Sequence, residues 1–157
     1  MEINREHRSP NHKARPAGVK PSLIVLHASA GKSDAGDVSW IVSPKSGISY
    51  HYLVGRDGEV YELVDPKFQA YHAGESEWKG RKFCNQFSIG VSWANRHDKT
   101  EPLTGAQIRG MRDLLNWLAE RHPTITEIVT HAMVAPKRKR DPLDIPNYYE
   151  PDWVGGV

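Results

Sequence analysis

The chain has a single cysteine, Cys84, among its 157 residues. That excludes an internal disulfide and a thiolate-rich metal cluster, and it leaves Cys84 to be read as a small buried residue. Charge of one sign is also scarce. The formal net charge is only +2, well short of what a dedicated nucleic-acid binder carries, though compatible with an anionic polymer as substrate. No stretch approaches the ~20 apolar residues that a membrane-spanning helix needs. The opening MEINREHRSPNHKARPAG is polar and lacks the apolar core of a secretion leader, so synthesis in the cytoplasm is expected. Internal repeats, low-complexity tracts and compact metal motifs such as HExxH are missing as well. With 38% hydrophobic and 25% charged residues, the composition is that of a soluble domain, and the length suits one core.

Residues 1–20 read as an irregular lead-in that wraps the domain formed by residues 21–157. SLIVLH (22–27) is a continuous apolar run bounded by Pro21 and Gly31, and its length predicts a buried strand. In SDAGDVSWIVS, Ser33 or Asp34 can cap a helix that turns Ala35, Val38, Ile41 and Val42 inward and stops at Pro44. SYHYLVGRDGEVYELV predicts a hairpin turning at Arg56-Asp57-Gly58. FSIGVSW (87–93) reads as a further strand, with Gly90 where the backbone must approach something closely. TGAQIRGMRDLLNWLAERH is an amphipathic helix with a capping box, Thr104 to Gln107, and an apolar stripe of Ile108, Met111, Leu114, Leu115 and Leu118. EIVTH (127–131) is a short strand ending on His131. Strands interleaved with helices predict a single α/β domain with a mixed central sheet flanked by helices.

His27 and His131 both end predicted strands, the place where α/β sheets gather functional groups. Asp141 can supply a third ligand, since zinc hydrolases use three protein donors and keep the fourth position open. Between His131 and Asp141 runs Lys137-Arg138-Lys139-Arg140. This run is either a nucleic-acid patch or the frame of a reaction centre. In an extended segment residues i and i+2 share a side. Lys139 is therefore aimed into the cavity with Asp141, while Arg138 and Arg140 face solvent. An ammonium there can stabilise an oxyanion.

Several stretches in order, SPNHKARPAG, IVLH, YHYLVGRDGEVYELV, AYHAG, FSIGVS and H…APKRKRDP, resemble the type-2 zinc-dependent N-acetylmuramoyl-L-alanine amidases, the family of the peptidoglycan recognition proteins. The resemblance implies a peptidoglycan-recognition-protein-like fold and zinc held by His27, His131 and Asp141. Lys139 would steady the oxyanion, and Tyr50 stands where the phage and recognition-protein branches carry a tyrosine needed for activity. His72 of AYHAG resembles a position lining the substrate groove, with a packing role as the alternative. Where the recycling and lipoprotein branches read SIGIE, with glutamate as general base, this chain has FSIGVSW and Ser92. A hydroxyl is no base near neutral pH, so Ser92 is left as a candidate substrate contact. The tyrosine-and-lysine type of machinery is expected instead, although KFCNQFSIG looks like the recycling branch. Leu143 of DPLD replaces the glycine that relatives commonly carry.

The implied function is hydrolysis of the bond between N-acetylmuramic acid and L-alanine of peptidoglycan by a monomeric phage-type endolysin that reaches the wall on lysis. It would act without nucleic-acid or membrane partners. A catalytically silent muropeptide-binding module and a cytoplasmic recycling amidase are the alternatives.

Overall fold

The computed structural model describes residues 1–143. Along the chain it forms β1 (His12–Ala14), β2 (Leu23–Ala28), α1 (Asp34–Ile41), β3 (Tyr52–Val54), β4 (Val60–Glu62) and β5 (Phe68–Ala70). Then come β6 (Glu77–Trp78), β7 (Arg81–Lys82), one 3-10 turn (Cys84–Phe87), β8 (Ser88–Trp93), α2 (Gly105–Arg121), β9 (Glu127–Thr130) and α3 (His131–Val134). The main sheet has the order β4-β3-β8-β2-β9. Only the β3–β4 hairpin is antiparallel; the β3–β8, β8–β2 and β2–β9 pairs are parallel. The sheet is therefore mixed, and the α/β architecture is the expected one.

The unbroken apolar run of β2 follows from its central place, since a parallel strand covered on both faces has no solvent side to alternate with. Ile24 and Leu26 join Ile89, Val91 and Trp93 against the α2 stripe of Met111, Leu114, Leu115 and Leu118. Leu23 and Val25 pack on the other face with Ala73, Cys84, Phe87, Val129 and Val134. One face of the sheet is thus filled by a long helix. The other is covered by short segments, and the functional side chains emerge there.

Local details depart from the pattern where tertiary partners intervene. Thr104 caps α2 by accepting from the Gln107 amide nitrogen, but the Gln107 side chain does not return to close the box. It is buried and donates to the carbonyls of Val54 and Ala94, at the ends of β3 and β8. Ser33 is the cap of α1, and Val38 and Ile41 turn inward as expected. Ala35 is exposed, and Asp37 is buried instead, held by the Ser29 hydroxyl at 2.7 Å and facing Arg56. The lead-in holds β1, paired antiparallel with β5, and its Asn4 bridges to Tyr61. β9 stops at Thr130, whose hydroxyl accepts from the Met133 amide, so His131 opens α3 rather than ending the strand. No helix among the described residues is long and apolar enough to cross a membrane.

Candidate metal centre

Two neighbouring parallel strands deliver the histidines. β2 and β9 pair Leu26 with Thr130, so His27 and His131 leave the same edge of the sheet side by side. Asp141 is brought back to them by a turn after α3. The amides of Arg138 and Lys139 donate to the Ala135 carbonyl, and the Ala132 amide donates to the carbonyl of Asp141. His27 Nδ1 and His131 Nδ1 are 3.1 Å apart. The Asp141 carboxylate lies 3.1 Å from His131 Nδ1 and 3.4 Å from His27 Nδ1. All three side chains are buried.

The hydrogen bonds behind the imidazoles decide which nitrogens carry protons. The Ser88 hydroxyl donates its one hydrogen to the Cys84 carbonyl at 2.6 Å. Its oxygen, 3.1 Å from His72 Nε2, therefore accepts from that nitrogen. A neutral His72 then has a bare Nδ1, which accepts from His27 Nε2 at 2.9 Å. In turn His27 presents an unprotonated Nδ1. His131 reaches the same state more directly, because its Nε2 lies 3.1 Å from the Ala73 carbonyl, which can only accept. Two imidazole lone pairs and a carboxylate thus converge without a hydrogen between them, an arrangement that repels itself unless a cation joins it. A tetrahedral zinc with ligands at ~2.0–2.1 Å has edges of about 3.3 Å, and the donor separations of 3.1 and 3.4 Å match. The chain's own residues fit zinc, with the outer nitrogen of each histidine oriented by a second partner.

The electrostatics point the same way. Burial pushes His27 down to about 4, partly opposed by the Asp141 carboxylate beside it. His72 is also held well below the ordinary range by burial and by its histidine neighbours. Burial alone would raise Asp141, but the His131 and His27 imidazoles within 3.4 Å favour its ionised form and keep the carboxyl far below its usual value. Neutral imidazoles and an ionised carboxylate are the ligand forms a metal requires.

A groove of about 500 Å³ opens over this cluster, and Tyr50, His72 and Lys139 line it. Tyr50 is buried, its ring centroid 5.0 Å from that of His27. Burial raises its phenol well above the usual value, and the charges of Asp141 and Asp37 add to that, so it stays protonated and can donate. Lys139 is exposed and has its side chain on the groove wall.

Two expectations need correcting. Ser92 pairs with His27 in register and shares its sheet face, but its short side chain is fully buried and bonds to the Trp93 carbonyl beneath the groove. It is not placed to touch substrate. His72 lines the groove, and its ring also stands behind His27. Arg138 is exposed but lines the groove instead of pointing away from it, since the segment is a turn rather than extended chain. Its guanidinium donates to the carbonyls of Ala73 and Glu75 and lies against Gly74. Sequence reasoning missed Ser88 and the Ala73 carbonyl altogether. The signal was the alternation Ser88, Gly90, Ser92 on one strand face, a trough of small residues. In it the His72 ring lies so close that a Cβ on Gly90 would come within 2.4 Å of the ring.

A two-histidine, one-carboxylate centre at the parallel-strand ends of an α/β sheet, with a lysine and a tyrosine on the groove wall, is the site of a zinc hydrolase. Residues 17–144 match the N-acetylmuramoyl-L-alanine amidase family, and the chain belongs to it. It is 34% identical to the 1,6-anhydro-N-acetylmuramyl-L-alanine amidase AmpD of Enterobacter cloacae, over 85% of this chain and 80% of that one. A crystal structure of an AmpD derivative superposes with a TM-score of 0.79 at 30% identity, covering 90% of this chain and 88% of the other. The Ph2119 endolysin from a Thermus scotoductus bacteriophage shares the fold, with a TM-score of 0.62 at 20% identity over 85% of this chain and 87% of that one. The chain is a zinc amidase of this family.

Proposed function

We propose that the protein hydrolyses the amide bond between the lactyl group of N-acetylmuramic acid and L-alanine, and that it does so on the wall polymer, as a phage-type endolysin. The observation that carries the amidase reading is the convergence of two unprotonated imidazole nitrogens and the Asp141 carboxylate at zinc-ligand separations beneath a groove bearing Lys139. Zinc held by His27, His131 and Asp141 supplies a Lewis acid for the scissile carbonyl and lowers the pKa of water toward ~7. The Lys139 ammonium faces the same groove and stabilises the negative charge that grows on the carbonyl oxygen. Tyr50, a neutral phenol, donates a hydrogen bond that orients the reacting groups. His72 and the Ala73 carbonyl hold the two imidazoles in place.

The endolysin reading is supported by the pairing of Tyr50 with Lys139 and by serine at position 92, features that resemble the phage and recognition-protein branches. A second reading, action on soluble 1,6-anhydro-muropeptide, is favoured by the substrate in the name of the AmpD relatives. Incubation with intact peptidoglycan and with soluble anhydro-muropeptide, each with and without chelator, separates them. New free amino termini without new reducing sugars are expected from the polymer, only in the chelator-free tube. Release from the soluble substrate alone would replace the endolysin reading with the second one. His27→Ala should abolish turnover, and Lys139→Met should lower kcat by roughly 100-fold or more, in line with loss of an oxyanion donor. Full activity in His27→Ala would remove the metal assignment.

A further inference from the structure

We propose that His97 is a substrate-contacting residue that recognises the sugar on the muramyl side of the scissile bond; this rests on the amidase reading above. His97 and Ala28 are common to the walls of the metal groove and of an adjoining pocket of about 350 Å³. Any substrate part that passes from one to the other meets this imidazole. Among the described residues its Nε2 is buried and has no hydrogen-bond partner, and a buried nitrogen left unpaired gains a bond if a ligand atom reaches it.

The backbone at His97 has φ 58°, the left-handed region that non-glycine residues seldom occupy. A fixed scaffold maintains it. The His97 amide donates to Asn95 Oδ1 at 2.8 Å, the Asn95 side-chain amide donates to the Glu101 carbonyl, and the Asn95 backbone amide donates to the Ser29 hydroxyl. The Glu101 carboxylate is in turn held by Arg56. An uncommon backbone conformation and an unsatisfied ring nitrogen coincide at the junction of the two cavities, where the ring can serve a ligand.

Charge assigns the ligand's direction. Arg138, Lys139 and Arg140 line the groove but not the adjoining pocket, so the carboxylates of the stem peptide belong with them. The pocket beyond His97 has apolar walls from Leu103, Ile108, Pro142 and Leu143, with Lys99 and Glu101 offsetting each other in sign. It suits an uncharged acetamido sugar: the methyl group and ring carbons rest on the apolar walls, and a hydroxyl or the acetamido oxygen bonds to His97 Nε2.

The test uses the zinc-loaded chain and two soluble substrates, N-acetylmuramoyl-L-alanyl-D-glutamate and the same dipeptide carrying D-lactate in place of the muramic acid. His97→Gly removes the ring and suits the positive φ. His97→Asn also tolerates that φ, and its shorter amide stops short of the Nε2 position. Both should raise KM for the muramoyl substrate about tenfold, the scale of one lost hydrogen bond, with kcat within about twofold and the zinc content of wild type. On the lactyl substrate the KM change should be within about twofold. Calorimetry of the zinc-free proteins with the muramoyl dipeptide should show the same tenfold weakening. Equal KM values in wild type and both variants, or an equal loss on both substrates, would overturn the assignment. If the wild type cleaves neither soluble substrate, the peptidoglycan assay above decides the amidase reading, and the calorimetry still decides whether His97 binds the sugar.

Discussion

Among individual residues, the most instructive is His72. It ligates nothing, yet it decides which nitrogen of His27 is available, because Ser88 commits its only hydrogen to the Cys84 carbonyl and so fixes the His72 tautomer. Partners of this kind typically account for a 10–100-fold share of metal affinity. His72→Phe should therefore weaken zinc binding by about that factor, and Ser88→Ala should weaken it less, because His72 keeps its place. Chelator competition measures both. An unchanged zinc Kd in His72→Phe would reduce His72 to a packing residue. Ser92 shows the converse, since a position beside the ligand in sequence register does not reach the groove when its side chain is too short to leave the sheet. The site positions at the strand ends were legible in the sequence as local patterns. The role of His72 was not, because its partners His27 and Ser88 lie 45 and 16 residues away and no spacing links them.

At the scale of elements, β8 carries two surfaces. Ile89, Val91 and Trp93 build the core with α2, while Ser88, Gly90 and Ser92 form the floor under the histidine rings. The absence of a side chain at Gly90 is what lets the His72 ring approach. Its amide also donates to His51 Nδ1 at 2.9 Å, so strand and rings are tied together. Gly90→Ala should cost roughly 1–3 kcal/mol by overpacking and should also weaken zinc binding by displacing His72. Denaturant unfolding and a zinc titration on the same variant test the pair of effects. A loss of stability with intact zinc affinity would show that the ring relaxes without moving His27. The close approach at Gly90 was foreseeable from a lone glycine in a strand, but its partner was not. The strand named the need, and the fold supplied the ring from the loop after β5.

For the molecule as a whole, several histidines are stored neutral on the covered face of the sheet. Burial, aided by Arg15, pushes His51 down to about 3, and its Nε2 donates to the Phe68 carbonyl. A histidine whose folded value is depressed contributes stability that is full above its unfolded value of ~6.5 and is lost as the pH falls toward the folded one. Between pH 7 and 4.5, His51 alone should remove roughly 2–3 kcal/mol from the zinc-free protein, and His72 acts in the same direction. Denaturant unfolding of zinc-free protein at the two pH values should show at least that loss. A flat profile would mean that these rings stay hydrated.

The sequence by itself determined the class of fold, because the apolar runs, the Asp-Gly turn and the amphipathic helix are short-range consequences of side-chain chemistry. It also pointed to the three metal donors, since the histidines stand at or just past the ends of apolar strand runs and the aspartate closes a recognisable segment. Only the tertiary structure decided which groups stand behind them. Arg138 binds loop carbonyls, Ser92 lies under the groove, and His97 comes to the edge of the metal groove. Each of these depends on where separate chain segments end up in space, on parallel strands set side by side and loops folded over one sheet face. Buried polar atoms must find partners there, and the ones available are fixed by packing rather than by order along the chain.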